Sequence, residues 1–253
     1  MPAEPKLAAT VILLRKREPD LESEDDCEFE VFMAKRHKSN RFMARHHVFP
    51  GGSIDEQDLT KKSRERIIGL DKNFANNLKD VHEVPSIIWI IAIREIFEET
   101  GILIATKDAG DIIAITEENM NKIQQYQEDL QKKRDTMTNI LTKENLYYAA
   151  NNLKYFGRLV TPPMSPIRFD TQFFLCKLPQ NQNINLFSDE LYEDSGLWGT
   201  PKQLLALYKK NQIKMIFPQY STLRRLKKFK TIQEAFDNSK DVFKSNLFVK
   251  NRR

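Results

Sequence analysis

Residues 86–102 read SIIWIIAIREIFEETGI. Apolar side chains at helical spacing, with Ser86 as an N-cap and Gly101 as a stop, predict a helix over 86–100. On a helical wheel Glu98, Glu95 and Glu99 lie within about 100° of one another. Trp89, Ile90, Ile93, Ile96 and Phe97 fill the opposite side and can anchor the helix on a sheet. Three carboxylates within a turn and a half repel one another unless a cation compensates. Arg94 can pair with Glu98 at i,i+4, but one guanidinium cannot neutralise three glutamates. Oxygen donors packed this densely suit Mg²⁺ or Mn²⁺. The plainer reading is a solvated acidic face. Against it stand the apolar helix that carries the glutamates and the Pro50-Gly51-Gly52 turn that precedes it.

Working outward, Leu7–Leu14 and Glu28–Lys35 read as strands of a hairpin joined by an acidic connection over 18–26. His47–Phe49 forms a third short strand, ended by Pro50-Gly51-Gly52. Residues 53–85 are polar and irregular, with a short helix near Thr60–Leu70. Residues 117–152 contain no Gly or Pro and form one long or two medium helices. Strands follow at Lys154–Val160 and Phe169–Leu178. A helix then starts at Pro201, and the capping box Thr231-Ile-Gln-Glu234 opens a last one. Strands before, between and after helices make a single α/β (α+β) domain over 1–253, a mixed sheet sandwiched between helices. It carries one inserted segment at about 59–85 and a helical insertion at about 117–152.

The chain has 253 residues, 40% hydrophobic and 30% charged, enough to bury a core and stay soluble. Its longest apolar run, Ile87–Ile93, is far short of a membrane span, and the N-terminus does not read as a secretory signal. Cys27 and Cys176 make no disulfide framework, so we expect a reducing compartment. The net charge of +5 hides an asymmetry: residues 202–253 hold 14 Lys/Arg and 3 Asp/Glu, a net of +11, leaving −6 elsewhere. Such a segment serves either an anionic ligand or plain solubility.

The residues Arg94, Glu95, Ile96, Glu98, Glu99, Gly101 and Ile102 match the second half of the Nudix box, G-x5-E-x7-R-E-U-x-E-E-x-G-U, at every specified position. Five fixed letters coincide by chance at roughly one start in a million. The chain therefore resembles the Nudix hydrolases. In the first half Gly52 fits the opening glycine, and Asp58 stands where the family has Glu. Residues 59–93 place 35 positions where the box has seven, an insertion of 28 that must loop out. This insertion resembles the coenzyme A diphosphatase branch of the nucleoside diphosphate-linked moiety X motif 19 type. The likeness extends to Arg41-Phe42-Met43, His47–Gly52, Leu159–Pro163 and Arg168–Leu175. A coenzyme A signature of a sister branch is met in part, by Arg36, Arg41 and Phe49–Gly52.

The resemblance implies a Nudix fold and hydrolysis of a diphosphate with Mg²⁺ or Mn²⁺. Glu95 and Glu99 are the expected metal ligands, Glu98 a third ligand or the base, and Arg94 an orienting residue. Gly51 and Gly52 let the backbone approach the metal, with the Gly52 carbonyl as a further ligand. Arg36 and Arg41 are candidates for the substrate phosphates, or else surface arginines. Arg168 and Asp170 form a pair, structural or substrate-binding; His46 and His47 are left outside the site. The implied substrate is a coenzyme A-like small molecule, giving 3′,5′-ADP and (acyl-)4′-phosphopantetheine. ADP-ribose, a dinucleotide, the RNA cap and a non-catalytic binding module are the alternatives. We expect no membrane and no nucleic acid as partner. The branch is associated with peroxisomes, yet the sequence ends VKNRR, with no S-K-L-like tripeptide, so the expected setting is cytoplasmic or peroxisomal.

Overall fold

The computed structural model describes residues 3–18, 25–38, 44–71, 74, 78, 84–108, 110–186 and 196–239. Strands β1 (Lys6–Lys16) and β2 (Phe29–Lys35) pair antiparallel in the expected hairpin, with Leu14 opposite Val31; most of the connection lies outside the described residues. Next to β2 run β3 (His47–Val48) and, later in the chain, β10 (Leu197–Gly199). On its other edge β1 lies parallel to β9 (Phe169–Lys177), which pairs antiparallel with β8 (Leu153–Val160). The sheet thus runs β10-β2-β1-β9-β8 and is mixed, as expected.

The Pro50-Gly51-Gly52 segment is not a plain turn. Gly51–Ser53 form a short strand, β4, antiparallel to β1, with Gly52 opposite Ala9. A Cβ on Gly51 would lie 2.4 Å from the Ala9 carbonyl oxygen, so only glycine lets the two backbones close.

Both faces of the sheet are covered, which the period-2 pattern of β1 and β2 records. Ala9, Val11, Leu13, Phe32 and Ala34 point to one core, beneath helix α2 (Ser86–Thr100). Ile12, Leu14, Phe29, Val31 and Met33 point to the other. That second core is closed by α5 (Pro201–Lys209), α6 (Phe217–Leu226) and α7 (Ile232–Asp237), through Leu204, Leu223 and Ala235. Thr200 and Thr231 cap α5 and α7 with complete capping boxes. The described part of the basic segment is therefore the layer farthest from α2, with Lys209, Lys210, Lys214, Lys227 and Lys228 exposed on it.

The two insertions meet. A short 3₁₀ turn (Glu56–Leu59) leads into the first, which supplies α1 (Lys61–Glu65) and β5 (Ile67–Ile68). The second forms α3 (Glu117–Gln131) and α4 (Met137–Lys143); toward its end the helix gives way to a strand, β7 (Tyr147–Ala149), and a 3₁₀ turn over Ala150–Asn152. With β6 (Ala105–Thr106), these build a second sheet of order β5-β7-β6. Arg66 ties the unit together, its Nη1 donating to the carbonyls of Leu146 (2.7 Å) and Leu141 (3.3 Å). Tertiary pairing overrode the helical composition of 147–149, while Ala150–Asn152 keep a 3₁₀ turn.

Helix α2 also differs from expectation at its start. Its N-cap is Pro85, without a side-chain cap bond, and Ser86 is the first helical residue. Its stop is as expected: Gly101 adopts φ 71° and its N–H donates to the Phe97 carbonyl at 2.9 Å. All residues from Ile87 to Phe97 are buried, Arg94 and Glu95 included, while Glu98 and Glu99 are half-buried, so the acidic side runs from the interior to the surface.

Candidate active site

Helix α2 and strand β4 bring the glutamates against the glycines. At Gly52 a Cβ would fall 2.5 Å from both carboxylate oxygens of Glu95, so the absence of a side chain makes room for that carboxylate. One residue earlier, the Gly51 N–H donates to Glu99 Oε2 at 3.0 Å.

Arg94 is the hub, with only 4% of its side chain exposed. Its Nη1 donates to Glu95 Oε1 at 2.9 Å and to Glu98 Oε2 at 2.8 Å. Nη2 donates to the Ser53 carbonyl at 3.0 Å. A bidentate pair completes the set: Nε to Asp58 Oδ1 and Nη2 to Asp58 Oδ2, both 2.9 Å. Burial by itself would depress the guanidinium, yet the charges of Glu95, Asp58 and Glu98 hold it well above its ordinary value.

The carboxylates feel the same burial. Glu95 is pushed up to about 7 by burial, with the Arg94 charge opposing and the Glu98 charge adding. Glu98 is raised as well, again by burial, with Arg94 pulling it back. Arg94 engages one oxygen of each. Among the described residues no three His, Cys, Asp or Glu side chains are arranged to hold a metal ion unaided. Two carboxylates face Arg94 and the third faces the Gly51 amide.

The last turn of α2 has carbonyls with no partner in the helix itself. Phe97 is satisfied by Gly101, and the Thr100 carbonyl accepts from the Asn185 N–H at 2.8 Å. The Glu98 carbonyl accepts twice, from Gln131 Nε2 at 2.7 Å and Gln127 Nε2 at 3.1 Å.

A model of the NUDT19 Nudix domain matches residues 5–226. The chain belongs to this Nudix family. It is 29% identical over 237 residues to the acyl-coenzyme A diphosphatase NUDT19 of Xenopus laevis, covering 82% of this chain and 62% of that one. Against the protein of the same name from Gallus gallus it is 21% identical over 253 residues, covering 85% and 65%. The chain thus spans somewhat over six-tenths of the length of these curated relatives. Its fold superposes on a crystal structure of a Nudix hydrolase from Alicyclobacillus acidocaldarius with TM-score 0.72 and 25% identity, covering 92% and 96% of the two chains.

The structure pairs Asp58, the residue expected in place of the box glutamate, with Arg94 across the 28 extra residues. Asp58 is 1% exposed, and its Oδ2 also accepts from the Asp55 N–H at 2.9 Å, closing a capping box with Asp55. The inserted residues loop out after it: Met137 N donates to Gln57 Oε1 at 3.0 Å, so the helical insertion buttresses the place where the box was opened. Asp58 was named from the box spacing; its pairing with Arg94 was not, because 35 residues separate them in the chain.

Of the other expected site residues, Arg36 lies just beyond β2, its N–H donating to the His46 carbonyl at 2.9 Å. Arg41 lies outside the described residues. Arg168 and Asp170 are not a pair: Asp170 takes a bidentate bond from Arg158 (2.7 and 2.6 Å), while Arg168 donates to the carbonyls of Thr161 and Ala3. Cross-strand neighbours on β8 and β9 won over sequence neighbours, as pairing geometry favours. Gln127, Gln131 and Asn185 gave no sequence signal at all.

Proposed function

We propose that this chain is a metal-dependent Nudix diphosphatase, a single domain that hydrolyses coenzyme A and acyl-coenzyme A to 3′,5′-ADP and (acyl-)4′-phosphopantetheine. The observation that carries the reading is the Glu95 carboxylate seated on Gly52, with Glu99 anchored on the Gly51 amide beside it. The names of its NUDT19 relatives support the substrate.

Nudix hydrolases generally use divalent metal ions. The donor set fits such an ion: hard carboxylate oxygens of Glu95, Glu98 and Glu99, with the Gly52 backbone where a side chain would intrude. Mg²⁺ characteristically takes one or two protein carboxylates and fills its remaining positions with water and substrate phosphate. A full protein cage is not required. When bound, the ion neutralises diphosphate charge and acidifies a bound water. Glu95 and Glu99 hold it, and Mg²⁺ and Mn²⁺ are the ions proposed. Glu98, held by Arg94 Nη1 at 2.8 Å, is the group proposed to accept the proton of the attacking water, a role Glu99 can share. Arg94 keeps Glu95 and Glu98 apart and oriented. Arg36 and Arg41 bind the phosphates of the substrate.

Among the described residues no helix is long and apolar enough to cross a membrane. Cys27 and Cys176 are buried free thiols, in keeping with a cytoplasmic or peroxisomal setting.

The test is incubation of pure protein with coenzyme A, an acyl-coenzyme A, ADP-ribose and capped RNA, with Mg²⁺ or Mn²⁺, beside a Glu99→Gln variant. The expected product is 3′,5′-ADP, absent from the variant. Cleavage of another diphosphate alone refutes the substrate. No cleavage with either ion turns the site into a binding module.

A further inference from the structure

We infer that Gln127 and Gln131 are positioning residues for the carboxylate turn of the Nudix helix. The inference rests on the metal-dependent reading above. Glu98 and Glu99 sit at the C-terminal, electronegative end of α2, where the helix dipole and their own repulsion both favour fraying. Within a helix that ends at Thr100, the Glu98 carbonyl would look to the Ile102 N–H. That N–H faces Thr100 Oγ1 at 3.3 Å, which leaves the carbonyl to donors from elsewhere.

Both donors come from the inserted helix α3, at i and i+4 on one face. Gln127 is 1% exposed and its orientation is fixed by the bonds it makes. Asn185 Nδ2 donates to its Oε1 at 3.2 Å, and its Nε2 donates to the carbonyls of Glu98 and Asn185. Gln131, half-buried, supplies the second and shorter bond to Glu98. Because Asn185 N–H holds the Thr100 carbonyl, the 98–99 and 100–101 peptide units that bracket the Glu99–Thr100 link are fixed from outside the helix. The Gly51 amide fixes the Glu99 carboxylate itself. Ile123 and Leu130, buried on the same helix, mark this as a packing face. Two glutamines on a packing face, aimed at one carbonyl, are placed for their N–H groups.

Gln131 gives the cleaner test, since its loss does not open the core. Gln131→Met keeps length and bulk without the donor; Gln131→Lys returns a donor. Mn²⁺ binding to the protein alone, read by electron paramagnetic resonance, is expected to weaken about 10-fold in Gln131→Met, as for other residues that orient ligands. Amide exchange at Thr100–Ile102 should quicken, and kcat fall by a similar factor with KM within about twofold. Gln131→Lys should recover most of each. Gln127→Met repeats the test from the buried side. If Gln131→Met lowers only the melting temperature and leaves Mn²⁺ affinity and exchange unchanged, the glutamines merely pack and the inference is overturned. A wild-type chain that binds Mn²⁺ but cleaves no diphosphate refutes the proposed reaction while the Mn²⁺ comparison still decides the clamp. A wild-type chain that binds no Mn²⁺ overturns both.

Discussion

Asp58→Asn removes one charge from the most buried ion pair among the described residues. Arg94 and Asp58 expose 4% and 0% of their side chains, and the pair is bidentate. Breaking a buried pair by removing one partner costs about 3–5 kcal/mol, because a charge is left uncompensated. Arg94 keeps Glu95, Glu98 and the Ser53 carbonyl here, so the low end, about 3 kcal/mol, applies. Asparagine cannot repair the loss. One of its two terminal atoms is an amide N–H₂, and both Asp58 oxygens accept from Arg94, so a donor must face a donor. For a chain of this size, about 3 kcal/mol lowers the melting temperature by roughly 6–12 °C. Thermal unfolding of the variant, followed by circular dichroism without metal, reads this directly. Activity should fall with it, since an Arg94 freed from Asp58 draws closer to Glu95 and Glu98. A melting temperature within about 2 °C of wild type would refute the view that Asp58 takes the place of the box glutamate.

Three further outcomes follow from the same geometry. Gly52→Ala sets a methyl at 2.5 Å from both Glu95 oxygens, so the carboxylate must move; stability should drop by about 1–3 kcal/mol and turnover by far more. Glu99→Gln keeps an oxygen to accept the Gly51 N–H, so its melting temperature should stay within about 2 °C of wild type while kcat falls at least about 100-fold. Glu95, raised to about 7 when buried, binds more protons folded than unfolded between about pH 4.5 and 7, so this group makes the metal-free protein less stable as pH rises through that window. Metal binding near neutral pH should then release protons, measurable by calorimetry in two buffers of different ionisation enthalpy. A buffer-independent heat would contradict this protonation state.

The sequence was most legible where local rules and tertiary contacts agree. Gly101 stops α2 because only a left-handed residue ends the helix there. The boxes at Thr200 and Thr231 were readable because a cap and its partner lie three residues apart. The strand at 147–149 was not, since its partners, Ile67 and Ala105, lie in segments with no periodicity of their own. The pairing of Asp170 with Arg158 was likewise invisible, because it depends on the register of two strands.

What the sequence determined by itself is the chemistry: three glutamates at helical spacing after a glycine pair, in a reading frame dense enough to specify the Nudix helix. Tertiary structure alone decided how those charges are made tolerable. It returned Asp58 to Arg94 across the inserted residues, seated Glu95 on Gly52, and closed the helix end with glutamines from a second insertion. A carboxylate cluster is a local property of spacing, whereas its neutralisation is a sum over groups that only the folded chain brings within hydrogen-bonding distance.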